Sequence, residues 1–219
     1  MKTEELFSTE HTIAADLILR YEYPWQALGE IKDFILSVGP TLSKDIFEEV
    51  EKDVWIAKSA KVAESARICP PAIIGEESEV RHCAFIRGSV IVGKGCVVGN
   101  STEMKNAIIF DGVQIPHYNY VGDSILGYKA HLGAGAVTSN VKSDKSRVKI
   151  HLPSGEGIDT GLKKLGAIIG DMAEVGCNSV LCPGSVIGRE CTVYPLSRVR
   201  GYLPARHIFK GEGNITKKR

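Results

Sequence analysis

Large apolar residues recur at every sixth position over most of this chain. Steps of six from Ile56 reach eleven positions, of which ten carry a large apolar side chain and the eleventh is Pro116. The period resumes at Leu126 and Leu132 and again over residues 169–199. Compact residues lie two positions before many of these sites, and glycine often follows them directly. Two coupled periods of six indicate a repeat architecture rather than an ordinary β-sandwich.

A period of six is typical of a parallel β-helix with a triangular cross-section. Each hexapeptide supplies one short strand and one corner, so three hexapeptides complete a coil of about 18 residues. The large aliphatic residue points inward and stacks on its equivalents in neighbouring coils, which stabilise one another. Glycine serves the corner, where either a positive φ or a close backbone approach is required. We therefore expect a mainly β protein with about six to seven coils.

Residues 1–52 lack the period of six and predict a small helical N-terminal segment. Thr12–Arg20 combines an N-cap candidate with helical spacing of apolar residues. Pro24–Leu36 is expected to form a second helix with proline in its first turn, and Ser43–Val50 a short third one. This segment is predicted to cover the first coil or to mediate self-association.

The β-helix is assigned to residues 53–203, with an excursion at residues 141–166 and a C-terminal tail at residues 204–219. The excursion is charged and contains glycine, and it is compatible with a hairpin. Long loops that leave a rigid scaffold commonly carry function, so this segment is of interest for the site.

Composition narrows the class of protein. Lys plus Arg is 27 and Asp plus Glu is 26, and the resulting net charge of +1 gives no reason to expect nucleic-acid or anionic-membrane partners. No apolar run approaches the roughly 20 residues of a membrane span, and the polar start does not resemble a signal peptide. The six cysteines include no C-x-x-C pair, so reduced thiols and no metal site are expected. The chain is predicted to be soluble and cytoplasmic.

Candidate chemistry concentrates at residues 100–140, where the repeat breaks. His117 lies where the register is expected to slip, beside polar and aromatic side chains. Functional residues often lie where a regular repeat is interrupted, because the site then sets the local sequence. On pattern alone, a single histidine at an irregular corner is equally well explained as a surface residue.

The same region carries a family resemblance. Residues 53–200 resemble the left-handed β-helix hexapeptide-repeat acyltransferases. Residues 86–140 resemble, more specifically, the acetyltransferase domain of glucosamine-1-phosphate acetyltransferase/uridylyltransferase. The matching motifs keep the family's mutual spacing and are Arg87, Val98-Gly99-Asn100-x-x-Glu103-Met104-Lys105, His117-x-x-Tyr120-x-Gly122-Asp123, and Gly133-Ala134-Gly135 through Asn140. Residues 1–52 do not resemble the uridylyltransferase domain, so nucleotidyl transfer is not expected.

This resemblance implies a left-handed β-helix that transfers an acetyl group from acetyl-CoA to the amine of a hexosamine phosphate or a nucleotide amino-sugar. It implies a homotrimer with each site shared between neighbouring subunits. His117 matches the general base, and an imidazole can accept a proton from an attacking amine. Arg87, Lys105 and Tyr120 match residues that hold the sugar phosphate. Asn140 matches an amide placed to stabilise the tetrahedral oxyanion.

The remaining matches include departures from the family pattern. Ala134 and Cys177 match the groove for the pantetheine arm, although Cys177 replaces a small hydroxyl residue. His131 stands where the family has a sugar-contacting Asn, and Lys145 roughly matches a loop lysine in an excursion that is longer than usual. These departures leave the identity of the sugar open.

Two alternatives remain at this stage. One is a non-catalytic trimeric module that has kept a sugar-phosphate pocket. The other is a zinc-dependent hydratase on the same fold, for which His82, His117 and His131 would have to converge. Their spacing does not resemble the ligand pattern of that family, so we predict no resident metal.

Overall fold

The computed structural model, which describes residues 1–218, is a parallel β-helix, as the period of six predicts. Short strands pair in parallel with their equivalents one coil away and line the three faces of a prism. Seven complete coils run from Val54 to Val199, and an eighth is begun by Tyr202–Leu203 and His207–Phe209. The expectation of six to seven coils is close to this number.

We number the faces in the order in which the chain meets them. The strands of the first face are Val54–Ala57, Ala72–Ile74, Val90–Val92, the ends of Glu103–Ile109 and Tyr120–Leu126, Ala167–Ile169, Ser185–Ile187 and Tyr202–Leu203. Those of the second face are Lys61–Val62, Glu79–Val80, Val97–Asn100, Gln114–His117, His131–Leu132, Glu174–Val175, Thr192–Val193 and His207–Phe209. Those of the third face are Arg67–Ile68, Phe85–Ile86, the starts of Glu103–Ile109 and Tyr120–Leu126, Val137–Thr138, Val180–Leu181 and Arg198–Val199.

The N-terminal segment, residues 1–42, consists of short helices that lie along the outside of the first face. Its α-helices are Thr3–Leu6, Ala15–Ile18 and Ile31–Val38, and its 3₁₀ helices are Thr9–His11, Pro24–Glu30 and Gly39–Thr41. The outward residues of the first face are aliphatic and fully buried: Ile73, Ile91, Ile108, Ile125, Ile168 and Val186. The segment contacts the face over its length, so its position differs from the predicted cover over the first coil.

Backbone and aromatic contacts fix this segment to widely separated coils. The backbone N–H of Asp171 donates to Leu6 O at 3.1 Å, and that of Asp111 donates to His11 O at 3.0 Å. Phe7 packs on Phe110 with ring centroids 5.0 Å apart. The segment therefore runs antiparallel to the progress of the coils, and its apolar side chains form one core with the first face.

The predicted third helix at Ser43–Val50 is wrong. Phe47–Glu51 is a β-strand that pairs antiparallel with Val54–Ala57, through a turn in which Asp53 has a φ of 63°. Pairing with the edge of the first coil satisfies backbone groups that this edge would otherwise leave open.

The position of the register slip also needs correction. Inward residues step by five, not six, from Met104 to Ile109 and from Val121 to Leu126, as the strand register shows. Both short steps lie at the corner between the third and first faces, whereas His117 lies at a regular corner. The repeat fails at Pro116 because the phase had already changed upstream.

Glycines that follow the inward aliphatic residues serve close approach rather than an unusual φ. A Cβ on Gly75 would lie 2.5 Å from Gly93 O, and one on Gly133 would lie 2.7 Å from Cys177 N. Neither glycine has a positive φ. The corner residues with positive φ are mostly not glycine, so the six-residue pattern marks the contact between coils.

The excursion contains a hairpin of Lys149–His151 and Gly157–Asp159. Val148 and Ile150 are fully buried, which anchors the hairpin on the β-helix. At the C-terminal end, Ile215–Lys217 pairs antiparallel with His207–Phe209. No helix in the described part of the chain is both long and apolar enough to cross a membrane.

Candidate active site

Outward side chains of the third face form two columns, which are polar at Arg87, Glu103, Lys105 and Tyr120. Arg87 and Lys105 occupy equivalent positions in successive coils, since Arg87 N donates to Met104 O. Glu103 and Tyr120 are aligned partners in the neighbouring column. Arg87 Nη1 donates to Glu103 Oε1 at 2.7 Å, and this bond raises the pKa of the guanidinium. The parallel register therefore brings the predicted Arg87, Lys105 and Tyr120 onto one surface.

A buried carboxylate organises the far edge of this surface. Asn106, Asp123 and Asn140 follow one another in successive coils at the corner between the third and first faces. Asp123 Oδ1 accepts from Asn106 Nδ2 at 2.9 Å, and Oδ2 accepts from Asn140 Nδ2 at 2.5 Å. Asn106 and Asp123 have φ values of 49° and 48°, a region that Asn and Asp tolerate better than most residues. The corners with five-residue steps therefore place Asn106 and Asp123 in one column.

Asn140 connects this column to Tyr120. Its Nδ2 also donates to the Tyr120 hydroxyl at 3.3 Å, so both amide hydrogens have acceptors within the protein. Burial, and then the nearby Asp123, raises the pKa of the Tyr120 phenol. The predicted oxyanion role of Asn140 would require it to release one of these acceptors, and it stays a prediction.

Gly122 creates the space that Tyr120 occupies. A Cβ at Gly122 would lie 2.4 Å from the Tyr120 hydroxyl and 2.9 Å from Asn140 Nδ2. Gly122 is also the strand partner of Lys105. A glycine at this outward position leaves the ammonium and the phenol on the same open surface.

His117 lies at the other edge of the third face, at its corner with the second. Its imidazole is exposed, and its backbone N–H donates to Asn119 Oδ1 at 3.1 Å. The buried Asn119 amide in turn donates to Gly133 O and Ala136 O at 2.8 and 3.0 Å. This corner is therefore held rigidly while the imidazole is left free to meet a ligand.

Ala134 and Cys177 continue the corner that carries His117. Gly135 N donates to His117 O, and Asn178 N donates to Ala134 O, so the three residues lie in successive coils. Cys177 is exposed. The predicted pantetheine groove therefore forms one edge that begins at the imidazole.

Two predicted substrate residues lie away from this surface within one chain. His131 faces outward from the second face, where its Nδ1 lies 2.7 Å from Glu174 Oε2. Lys145 is exposed on the turn that follows Asn140, with a φ of 54°. Within one chain, neither residue lies beside Arg87 and Lys105. Their predicted roles would require a second subunit, and they stay predictions.

The histidines considered for zinc are also separate. His82 Nδ1 lies 2.6 Å from Ser65 Oγ, and His131 pairs with Glu174. Among residues 1–218 there is no group of three His, Cys, Asp or Glu side chains that could hold a metal ion. A zinc site would have to draw ligands from more than one subunit.

Three structural partners carry no assigned role in the sequence analysis: Glu103, Asp123 and Asn119. Glu103 and Asp123 fall inside the matching motifs, but their contacts depend on which coil lies next to which. The signal that could have found Asp123 is the five-residue step, because it recurs at two successive corners of the same edge.

Comparison with known proteins finds acetyltransferases among the relatives of this chain. The family described as "GMPPB C-terminal domain" matches residues 70–151. The "Bifunctional sugar-1-phosphate nucleotidylyltransferase/acetyltransferase" of Sulfurisphaera tokodaii is 29% identical over 94% of this chain and 53% of its own length. The "Bifunctional protein GlmU" of Methanococcus maripaludis strain C5 is 34% identical over 78% of this chain and 43% of its own length. The chain thus spans about half the length of these relatives.

A shorter relative decides the family. The "Uncharacterized acetyltransferase YaiX" of Escherichia coli O6:K15:H31 is 32% identical, over 71% of this chain and 74% of that protein. This chain belongs to the hexapeptide-repeat acyltransferases. Such an acyltransferase places its chemistry on the outside of the β-helix, because the inside is filled by stacked aliphatic residues.

Proposed function

We propose that this hexapeptide-repeat acyltransferase moves an acetyl group from acetyl-CoA to the amine of a hexosamine phosphate or a nucleotide amino-sugar. The observation that supports this most is the stacking of Arg87 and Lys105 in successive coils beside Tyr120. Their backbones are about 5 Å apart, the spacing of adjacent strands, so a guanidinium and an ammonium can reach the same phosphate group. The name of the Sulfurisphaera tokodaii relative includes both a sugar-1-phosphate and an acetyltransferase activity.

The reaction forms one bond and breaks another. The amine nitrogen attacks the thioester carbonyl, and the tetrahedral intermediate collapses to an amide with loss of the coenzyme thiolate. His117 takes the proton that the nitrogen loses, and returns it to the departing sulfur. The neutral imidazole accepts the proton in the first step, and the imidazolium so formed donates it in the second. The coenzyme arm would follow the edge formed by Ala134 and Cys177, which starts at His117.

We further propose a homotrimer in which the site is completed between subunits. Arg87, Lys105 and Tyr120 lie on an open face, while His131 and Lys145 lie elsewhere on the same chain. A neighbouring subunit that presents its second face to this third face would bring His131 to the sugar. This arrangement gives His131 a role without moving the β-helix.

A thiol-release assay with acetyl-CoA and a panel of hexosamine phosphates tests the proposal. His117→Ala should lower kcat/KM by about 10²- to 10⁴-fold, the range for loss of a general base. His82→Ala is the matched control, because His82 lies at the same corner two coils away and is exposed. Its kcat/KM should stay within about twofold of the wild type.

The alternatives predict different results. A binding module would bind sugar phosphates but release no thiol with any amine. Equal activity of His117→Ala and the wild type would remove His117 from the mechanism. Uridylyl transfer from UTP is expected to be absent, and its detection would overturn the interpretation of residues 1–52.

A further inference from the structure

A second cationic surface lies on the third face, beyond the residues already described. The excursion folds over the face and encloses a cleft of about 540 Å³. Four cations line this cleft, against the single carboxylate of Asp144: Lys142, Lys149, Arg198 and Arg200. Lys142 pairs with Asp144 at 3.3 Å, and Arg198 pairs at 2.8 Å with Glu212, which lies outside the lining.

Arg200 has an unusual partner. Its Nη2 lies 2.8 Å from His151 Nε2, and in the neutral imidazole that nitrogen acts as the acceptor. Burial, and then the charge of Arg200, lowers the pKa of His151, which favours the neutral ring that this contact requires. Within residues 1–218 no carboxylate lies within ion-pair distance of Arg200 or Lys149. The guanidinium is therefore oriented while its charge remains uncompensated.

The hairpin wall of the cleft is firmly seated. Gly184 and Gly201 lie where the hairpin crosses the corner, with φ values of 79° and 81°. A Cβ on Gly184 would lie 2.6 Å from Val148 Cγ1, and one on Gly201 would lie 2.4 Å from His151 O. The two glycines let the hairpin approach the coils closely, which fixes His151 beside Arg200.

The cleft is too far from the sugar-phosphate residues to share one phosphate with them. Four successive strand pairings separate Lys105 from Arg200 in the same outward column. At about 4.8 Å per pairing, the axial separation is about 19 Å. A concave cationic surface at this distance focuses its own field on an anion.

We propose that this cleft, built from Arg200, Lys149 and Arg198 and oriented by His151, is a second anion subsite that binds a diphosphate group. Arginine forks match phosphate oxygens in a bidentate manner, and Lys149 adds a point charge from the opposite wall. The diphosphate belongs either to the coenzyme or to the nucleotide of an activated sugar. The nucleotide assignment rests on the proposed function, whereas the binding of a diphosphate by this cleft does not.

Calorimetric titration of the full chain with inorganic pyrophosphate tests the subsite without requiring turnover. Arg200→Gln should raise the Kd for pyrophosphate at least tenfold, and Lys149→Gln should raise it severalfold. Arg67→Gln is the matched control, since Arg67 is an exposed third-face arginine at the opposite end, paired with Glu51. Its Kd should equal that of the wild type. Raised salt should weaken binding to the wild type.

Parallel titrations identify the source of the diphosphate. A tenfold loss for coenzyme A in Arg200→Gln assigns the subsite to the coenzyme, and the same loss for UDP assigns it to a nucleotide. Pyrophosphate binding that is absent in the wild type, or equal in Arg200→Gln and the wild type, overturns the proposal. Because all these readouts are equilibrium binding, a failed acetyl transfer would leave them interpretable.

Discussion

The first and third faces of the β-helix share an interior but differ in what their outward side chains meet. On both faces the inward residues are large, buried and aligned with the next coil. Outward positions of the first face, such as Ile73 and Ile108, are aliphatic and covered by the N-terminal segment. Equivalent positions of the third face carry Glu103, Tyr120 and Arg198, which remain at least partly exposed.

This contrast shows how one repeat supports two tasks. The inward residue of each hexapeptide makes the prism, and the residue next to it decides whether a face is structural or available for ligands. Covering one face with the chain's own helices leaves the second and third faces, and the corner between them, for partners and substrates. The candidate site lies on the third face and on that corner.

The largest expected effect comes from placing a charged side chain on the first face, which the N-terminal segment covers. Ile108→Glu buries a carboxylate with no partner and should lower the free energy of unfolding by about 3–5 kcal/mol. Val180→Glu makes a similar change at an outward third-face position that is 39% exposed. Its cost should stay within about 0.5 kcal/mol. Urea unfolding of the two variants measures the difference, and similar costs would mean that the first face is not covered in solution.

A smaller loss is expected when the N-terminal segment is detached from the β-helix. The buried Asp171 accepts from Ser8 N at 2.7 Å and from Tyr128 N at 2.9 Å, and it pairs with Arg189. Asp171→Ala leaves these donors unpaired and should cost about 2–3 kcal/mol. Limited proteolysis should then cut within residues 1–42 first. Unchanged cleavage there, with Asp144→Ala as the exposed control, would argue against this attachment.

The third face is tested by filling the space beside Tyr120. Gly122→Ala displaces the phenol and should lower kcat/KM for the acceptor about tenfold, with a smaller effect on the KM for acetyl-CoA. Gly29→Ala is the control, because a Cβ there meets nothing within 4 Å. Steady-state kinetics with each substrate varied separately makes the measurement. Normal acceptor kinetics in Gly122→Ala would remove Tyr120 from the binding surface.

The smallest effect is expected for cysteine thiols, whose reactivity should differ between the inside and the outside of the β-helix. Burial raises the pKa of the Cys96 thiol to about 12, so at pH 8 it stays protonated and unreactive. Exposed Cys83 and Cys177 should react with iodoacetamide in the native protein, and peptide mass spectrometry locates the label. Alkylation of Cys96 at the rate of Cys177 would contradict the packed interior.

The sequence predicts the β-helix well because every coil repeats the same packing problem. Inward aliphatic residues and close-approach glycines such as Gly75 depend on the neighbouring coil alone, so a period of six captures them. The N-terminal segment is harder, since its position depends on the outward isoleucines. The runs Ala72-Ile73-Ile74 and Ala107-Ile108-Ile109 carry that signal, because a covered strand is apolar on both sides.

Only part of the candidate site can be predicted from the sequence. Motif spacing selects Arg87, Lys105, Tyr120 and His117, and three of these share one face. The role of Asp123 depends on which residues lie next to it in the neighbouring coils. Two corners of this edge have five-residue steps, so a fixed step of six aligns the wrong residues there. His131 and Lys145 lie away from this surface within one chain, so their substrate-binding roles stay predictions.

If the third face holds the acceptor phosphate, Arg87→Ala should weaken the binding of that ligand alone, and separate titrations of the two substrates measure this. The Kd for a hexosamine phosphate should be at least tenfold above that of the wild type, with the Kd for acetyl-CoA within about twofold. Arg67→Ala, on the same face, should change neither. An equal loss of affinity for both ligands, or no loss for the sugar phosphate, would show that Arg87 and the third face do not hold the acceptor phosphate.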